Sequence, residues 1–321
     1  MKTKLMFLAL AAIGLAGCNG GFKKGDGGLQ YKIVKDEGGP SIKEGDFFSI
    51  NYIVKTDADS VMASSYEAGR PWPQIMAKPQ SKGDIMSAIM LLSEGDSAII
   101  KTDIDSASHG QKRNPALKGK YIVYTIKVEK VIPKGNLTPD VFKARYEDYM
   151  KKLSDADKNA EAGKIKKYID DNNLKLTKTV TGLSYVINTP GAGALPAPGD
   201  TVVLNYLGKF VNGKVFDTNI KAEAIKGKLQ INPMNPYKPI RFPVGAQGMI
   251  QGFNEGLLLM NKGAKATFII PSSLAYGEQG NGPVGPFTPL VFDIELVDIV
   301  HPNPNAPKPV AVPPVQQPVK R

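Results

Sequence analysis

The sequence predicts an α+β protein of two domains, each an antiparallel sheet wrapped over a short helix. Three observations predict it. First, the chain repeats itself: residues 28–65 fall on 182–219 without a gap, setting Gly28-Leu29-Gln30-Tyr31 on Gly182-Leu183-Ser184-Tyr185, Gly45-Asp46 on Gly199-Asp200, and Asn51-Tyr52 on Asn205-Tyr206. A second gapless block sets Glu94-Gly95-Asp96 on Lys262-Gly263-Ala264 and Ile122-Val123-Tyr124 on Leu290-Val291-Phe292. The period far exceeds the ~20–50 residues of solenoid repeats, so it reads as a duplicated domain. Second, Leu290, Phe292, Ile294 and Leu296 alternate with Asp293 and Glu295, the period of an antiparallel strand with one wet face. Third, Ile250, Phe253 and Leu257 lie on one side of a short helix, expected to end at Gly263. A helix facing several such strands makes an α+β sheet-on-helix unit.

In chain order, Lys2 and Lys4 precede an apolar run from Leu5 to Leu15, too short to span a bilayer as a mature helix. Residues 1–17 therefore read as a signal peptide. The closing Leu15-Ala16-Gly17-Cys18 resembles a bacterial lipobox, which implies cleavage before Cys18 and acylation of it. Cys18 is the chain's one cysteine and has no disulfide partner, so lipid is the expected fate of its thiol. Acyl chains there make a strong anchor, at ~0.8 kcal/mol per buried CH₂. The expected address is the envelope of a Gram-negative-type bacterium, lipid-anchored at the outer membrane and facing the periplasm or the exterior.

Residues 18–27 are glycine-rich and read as a flexible tether. The first module follows over 28–132. A helical linker is expected over 133–181, opened by Thr138-Pro139-Asp140 as cap, first-position proline and first-turn acid. It carries one stripe of Phe142, Tyr146, Tyr149, Met150 and Leu153, then a second stretch over 155–171 with Ala162, Ile165 and Ile169. The second module spans 182–300. The proline-dense tail, 301–321, reads as extended and disordered.

The formal charge is +11, and +9 once Lys2 and Lys4 leave with the signal peptide. The lysines are dispersed and no nucleic-acid motif accompanies them, so a solvated basic surface is the reading and no nucleic-acid partner is expected. Two histidines, His109 and His301, and a single cysteine support neither a metal site nor a Cys/His dyad. No phosphate loop or nucleophile elbow is present. No cofactor is expected, and any chemistry here must need little proton transfer.

The second module carries LNYLG at 204–208, VFDT at 215–218, GMIQGFNEGL at 248–257, IIPSSLAYG at 269–277 and PLVFDIELVDI at 289–299. In these strings and their order it resembles the FKBP family, the macrolide-binding class of peptidyl-prolyl cis-trans isomerases. The resemblance implies a curved antiparallel half-barrel around a short helix, with an apolar groove between them. It also implies proline-containing exported polypeptides as substrates and a macrolide as a ligand. The implied groove is lined by Tyr206, Phe216, Asp217, Phe242, Met249, Ile250, Phe253, Tyr276, Val284 and Phe292. Phe253 is the implied floor, where many relatives have tryptophan. Tyr276 and the Ile250 N–H are the implied donors to a substrate carbonyl, and Asp217 the group that orients Tyr206. Physical chemistry agrees in kind: a twisted amide is less zwitterionic than a planar one, so a water-poor aromatic slot favours it.

The segment between Asp217 and Phe242, with Asn232-Pro233-Met234-Asn235-Pro236-Tyr237, is longer than the family's flap, and the loop after Tyr276 is slightly shorter. In the first module the frame places Met62 at Phe216, Ala63 at Asp217, Ile85 at Phe253, Ser108 at Tyr276 and Tyr124 at Phe292. That module is expected to fold but to be catalytically silent, with Trp72 as a contact point or a local cap. Three functions compete: a membrane-anchored isomerase, a holdase that grips proline segments without turnover, and an envelope docking protein.

Overall fold

In the computed structural model the chain separates into two compact units, dividing between Leu153 and Ser154. Residues 21–59, 61–107, 118–232, 234–245 and 248–302 are described; Cys18, Ser108, His109 and the tail beyond residue 302 lie outside them.

The first unit builds a 7-stranded antiparallel sheet from β1 (Lys23–Lys24), β2 (Gln30–Lys35), β3 (Phe47–Thr56), β4 (Val61–Ser64), β5 (Trp72–Ile75), β6 (Ser97–Asp103) and β7 (Tyr121–Ile132). Its order is β1-β2-β6-β7-β3-β4, with β5 also on β3. Short helices α1 (Ser65–Ala68), α2 (Ile85–Ile89) and α3 (Ile104–Ala107) interrupt the strands, and α4 (Pro139–Asp171) follows them. The second unit repeats the plan with β8 (Thr177–Lys178), β9 (Ser184–Thr189), β10 (Thr201–Phe210), β11 (Val215–Thr218), β12 (Ile240–Pro243), β13 (Lys265–Ile270) and β14 (Leu290–Val300), together with α5 (Lys221–Lys226) and α6 (Gln251–Leu257). Its order, read from β8, is β8-β9-β13-β14-β10-β11, with β12 on β10. Strand for strand this is the first sheet again, so the α+β reading of two open sheets, each with a short helix on its buried face, holds.

The residues that repeat are those that pin backbone. The Asp46 carboxylate accepts from Lys43 and Lys134 N–H, and Asp200 accepts from Ala197 N–H and meets His301 Nδ1. Ser65 Oγ accepts the Tyr52 N–H at 2.8 Å, and at the matching position Asn219 Oδ1 accepts the Tyr206 N–H at 2.8 Å. A different side chain thus makes the same bond at the same place.

β14 buries Leu290, Phe292, Ile294 and Leu296 and leaves Asp293 and Glu295 half-buried, as its alternation requires. α6 lays Phe253 and Leu257 into the core against β13. Its approach depends on Gly256, where a Cβ would stand 2.2 Å from Phe268 Cε2. The helix stops at Leu257, not at Gly263. Met260 is fully buried, so the chain turns inward before the glycine, and Gly263 serves the turn into β13.

Two further expectations are corrected. The linker forms one helix, α4, because nothing at Ser154-Asp155 breaks it and ion pairs at Lys143–Glu147, Asp148–Lys152, Lys166–Asp170 and Lys167–Asp171 support a largely polar rod. In the first unit Phe142 is buried with Phe47 and Ile132, and Tyr146 stacks on Phe47 at 5.5 Å. The tether over 18–27 is ordered at its end: Lys23–Lys24 pair with β2 and Gly25 N–H bonds Leu29 carbonyl at 2.8 Å, because the open edge of β2 offers a ladder to complete. Similarly, β8 joins the second sheet ahead of Gly182. Among the described residues no helix is long and apolar enough to cross a membrane.

Candidate functional site

The second unit's core opens toward one side as an aromatic cluster. Phe253, on α6, is 2 % exposed and meets Phe292 of β14 edge to face at 5.1 Å between ring centroids. Phe216 of β11 meets Phe292 at 5.6 Å and 89°, and Tyr206 of β10 stands over both Phe253 and Phe292 at 6.4 and 6.3 Å. Such edge contacts favour the ring quadrupoles and fix the rings mutually. Gly208 makes this packing feasible, since a Cβ there would lie 2.8 Å from Phe216 Cζ and 3.0 Å from Phe292 Cε1. Phe242, Met249, Ile250 and Tyr276 are partly buried against the same cluster, and Val284 is buried in it.

The polar edge is built on Tyr206. Its hydroxyl donates to Asp217 Oδ2 at 2.8 Å, from a strand register that pairs Gly208 with Asp217. Burial first, then the hydrogen bond to Asp217 and its charge, then Tyr276, push the Tyr206 hydroxyl well above the ordinary tyrosine range. It therefore stays a protonated donor. Its backbone is held as firmly: Asn219 takes its N–H and Thr218 Oγ1 donates to its carbonyl at 2.6 Å. Asn219 also donates to the Leu204 and Lys238 carbonyls, tying the flap to β10. Asp217 itself is exposed at the rim.

Tyr276 follows the short 3-10 turn Ser272–Leu274 and is half-buried beside Tyr206. Ile250 is the N-cap of α6, with extended backbone and a carbonyl that accepts from Phe253 and Asn254 N–H. The flap carries α5 and leaves Ile225, Ile231 and Met234 exposed. Every groove residue named from the sequence thus falls in or at the edge of one cluster. Residues not named there are Gly208, Asn219, Thr218 and Phe210, whose ring lies 5.0 Å from Phe216. Phe210 and Gly208 share the inward period of Tyr206 along β10, which is the signal that locates them. Among the described residues no group of three His, Cys, Asp or Glu is placed to hold a metal ion.

At the corresponding place in the first unit lies an apolar recess of about 230 Å³, lined among others by Tyr52, Val54, Ala63, Trp72, Ile85 and Tyr124. Trp72 belongs to β5 and meets Phe48 and Tyr52 edge to face at 6.3 and 6.2 Å. From its strand it forms a wall of the recess. The carboxylate that accepts from Tyr206 in the second unit has Ala63 in its place here.

The family model for FKBP-type peptidyl-prolyl cis-trans isomerases matches residues 193–297. A probable FKBP-type peptidyl-prolyl cis-trans isomerase FkpA of Neisseria meningitidis serogroup B is 38% identical over 160 residues, 49% of this chain and 52% of that protein. The outer membrane protein MIP of Legionella longbeachae is 34% identical over 166 residues, 50% of this chain and 64% of that protein. The crystal structure of FkpA from Escherichia coli is similar at 30% identity over 52% of this chain and 76% of that one, with a TM-score of 0.40. The chain thus spans between half and two thirds of the length of the curated relatives described. The second unit thus carries, over residues 193–297, a segment that matches the FKBP-type peptidyl-prolyl cis-trans isomerase family.

Proposed function

We propose that the second unit is a peptidyl-prolyl cis-trans isomerase acting on X-Pro bonds of exported polypeptides, and that acylated Cys18 tethers it at the outer membrane of a Gram-negative-type bacterium. The observation that carries the activity is the Tyr206–Asp217 hydrogen bond standing over the Phe253–Phe292 floor, inside the segment that matches the family. An amide rotates over a barrier of ~18–20 kcal/mol because resonance is lost at the twisted geometry. Left alone, an X-Pro bond takes tens to hundreds of seconds. The twisted amide carries less charge separation, so an aromatic slot with little water binds it better than the planar form. Each ~1.4 kcal/mol of that preference is a factor of ten in rate.

The roles follow from position. Phe216, Phe242, Met249, Phe253, Val284 and Phe292 enclose the proline ring. Tyr276 hydroxyl and Ile250 N–H donate to the substrate carbonyl, and Asp217 holds Tyr206 in place. A macrolide enters the same groove and competes with peptide. The outer-membrane address is supported by the lipobox-like run ending at Cys18 and by the name of the Legionella relative. The recess in the first unit favours a second role beside turnover, holding aliphatic or proline-containing segments without isomerising them.

The test is a cis-to-trans assay of an X-Pro peptide with protein beginning after Cys18. Turnover above background is expected, reduced about tenfold or more in kcat/KM by Asp217→Ala and by Tyr276→Ala. No turnover from the intact protein sinks the enzyme reading. Aggregation suppression that survives both substitutions would assign holding to the first unit, and Cys18→Ser is expected to release the protein from membranes.

A further inference from the structure

We propose that Glu161, on the later half of α4, is a positioning residue for the loop that carries Tyr276. Its Oε1 accepts the backbone N–H of Ser272 at 2.5 Å, and its Oε2 accepts from Ser272 Oγ at 2.8 Å. The partners are 111 residues apart in sequence, so this is a tertiary clamp and not a local turn.

Ser272 is the residue on which the loop closes. It is 3 % exposed and opens the 3-10 turn directly after Pro271. The first N–H groups of a helical turn have no partner within it, and a carboxylate accepts them with charge assistance. The Ser272 carbonyl in turn accepts from the Ala275 and Gly277 N–H, each at 2.9 Å, the two residues that flank Tyr276. Holding Ser272 by both its N–H and its hydroxyl therefore fixes the peptide planes on which Tyr276 rides.

The far side of the loop meets the same helix. Phe287, whose N–H bonds the Gly277 carbonyl at 2.9 Å, has Lys158 Nζ 6.0 Å from its ring centroid. Lys158 and Glu161 are three residues apart and share a face of α4. Further along, Tyr168 is half-buried beside Lys209, itself paired with Asp293, which places the helix next to β10 and β14. A segment that reads as a spacer thus supplies support to a group that touches substrate, and support of this kind acts on rate by preorganisation.

The proposal rests on Tyr276 acting as proposed above, so the test carries a readout independent of turnover. In protein beginning after Cys18, Glu161→Ala is expected to speed amide hydrogen exchange over 272–277 about tenfold or more, with β13 and β14 amides unchanged. With X-Pro peptide, kcat falls about fivefold with KM little altered, and Glu161→Gln, which keeps one acceptor oxygen, restores most of it. Unchanged loop exchange and kcat in Glu161→Ala overturn the proposal, as does faster exchange spread through the strands, which marks a stability effect alone. If the unsubstituted protein shows no turnover, the isomerase reading fails and loop exchange alone decides whether Glu161 holds the loop.

Discussion

In the second unit Gly208 leaves room for Phe216 and Phe292 to meet edge to face, whereas in the first unit its counterpart Val54 faces a groove in which Met62 and Ile85 stand where Phe216 and Phe253 would be. Both residues hold the same place in register, Gly208 opposite Asp217 and Val54 opposite Ala63. Met62, at the position of Phe216, is 48% exposed and does not refill the space. Val54 and Trp72 instead re-wall it, and a recess remains. Duplication has therefore kept the turns and backbone pins while exchanging the residues that face the groove. The first unit has not lost a pocket; it has lost the acid and the aromatic floor.

The largest test of that difference is at the floor. Phe253→Ala removes a ring 2 % exposed that touches Tyr206 and Phe292, and is expected to cost about 3–5 kcal/mol. Ile85→Ala, at the half-buried counterpart position, is expected to cost about 2 kcal/mol, the low end for such truncations. The units can be followed separately in urea, because the chain's one tryptophan, Trp72, reports the first, while amide exchange in β13 and β14 reports the second. Equal costs would mean that the two floors are equally well packed, against the recess seen beside Ile85.

A smaller effect is expected at the strand position itself. Gly208→Val forces the Phe216 and Phe292 rings apart, with an overpacking cost of about 1–3 kcal/mol. X-Pro turnover should fall with it. The reverse exchange, Val54→Gly, adds to an existing recess and is expected to lower first-unit stability without creating turnover. Isomerase activity gained on Val54→Gly would show that the first groove is merely blocked.

The parts of this molecule that announce themselves in sequence are those encoded locally. Turn residues such as Gly45-Asp46 and the alternation of Leu290 to Leu296 reveal the repeat and the sheet, because each depends on near neighbours and a fixed side-chain period. The groove residues sit inside short strings, so Tyr206, Asp217 and Tyr276 could be named together before any distance was known. Others carry no local mark. Glu161 is one acid among many on a polar helix until the fold sets it against Ser272. The compensation between Val54 and Met62 is a matter of volume across strands, and the two-residue strands β1 and β8 are too short for any periodicity. Helix α4 divides in sequence at Ser154 because Ser-Asp favours a cap, yet propagation past one weak position costs less than a new nucleus.

The smallest expected effect compares two buried hydroxyls. Tyr206 is raised by burial and then by Asp217, while Tyr124, at the place of Phe292, is raised chiefly by burial. In the unfolded chain a tyrosine releases its proton near pH 10. Above that pH the unfolded state binds fewer protons than the native one, so stability falls as pH rises; below it both states are protonated and the term vanishes. For Tyr206, discounted for its partial exposure, the loss is about half a kcal/mol between pH 10 and 11. Tyr206→Phe should remove that slope from the second unit, seen in β13 and β14 exchange. Tyr124→Phe should flatten only the first unit's slope, seen in Trp72 fluorescence. Turnover should meanwhile stay level up to pH 10, since the Tyr206 hydroxyl remains a donor to Asp217. A slope that survives Tyr206→Phe would place the titrating group elsewhere and remove Asp217 as the feature that sets the two grooves apart electrostatically.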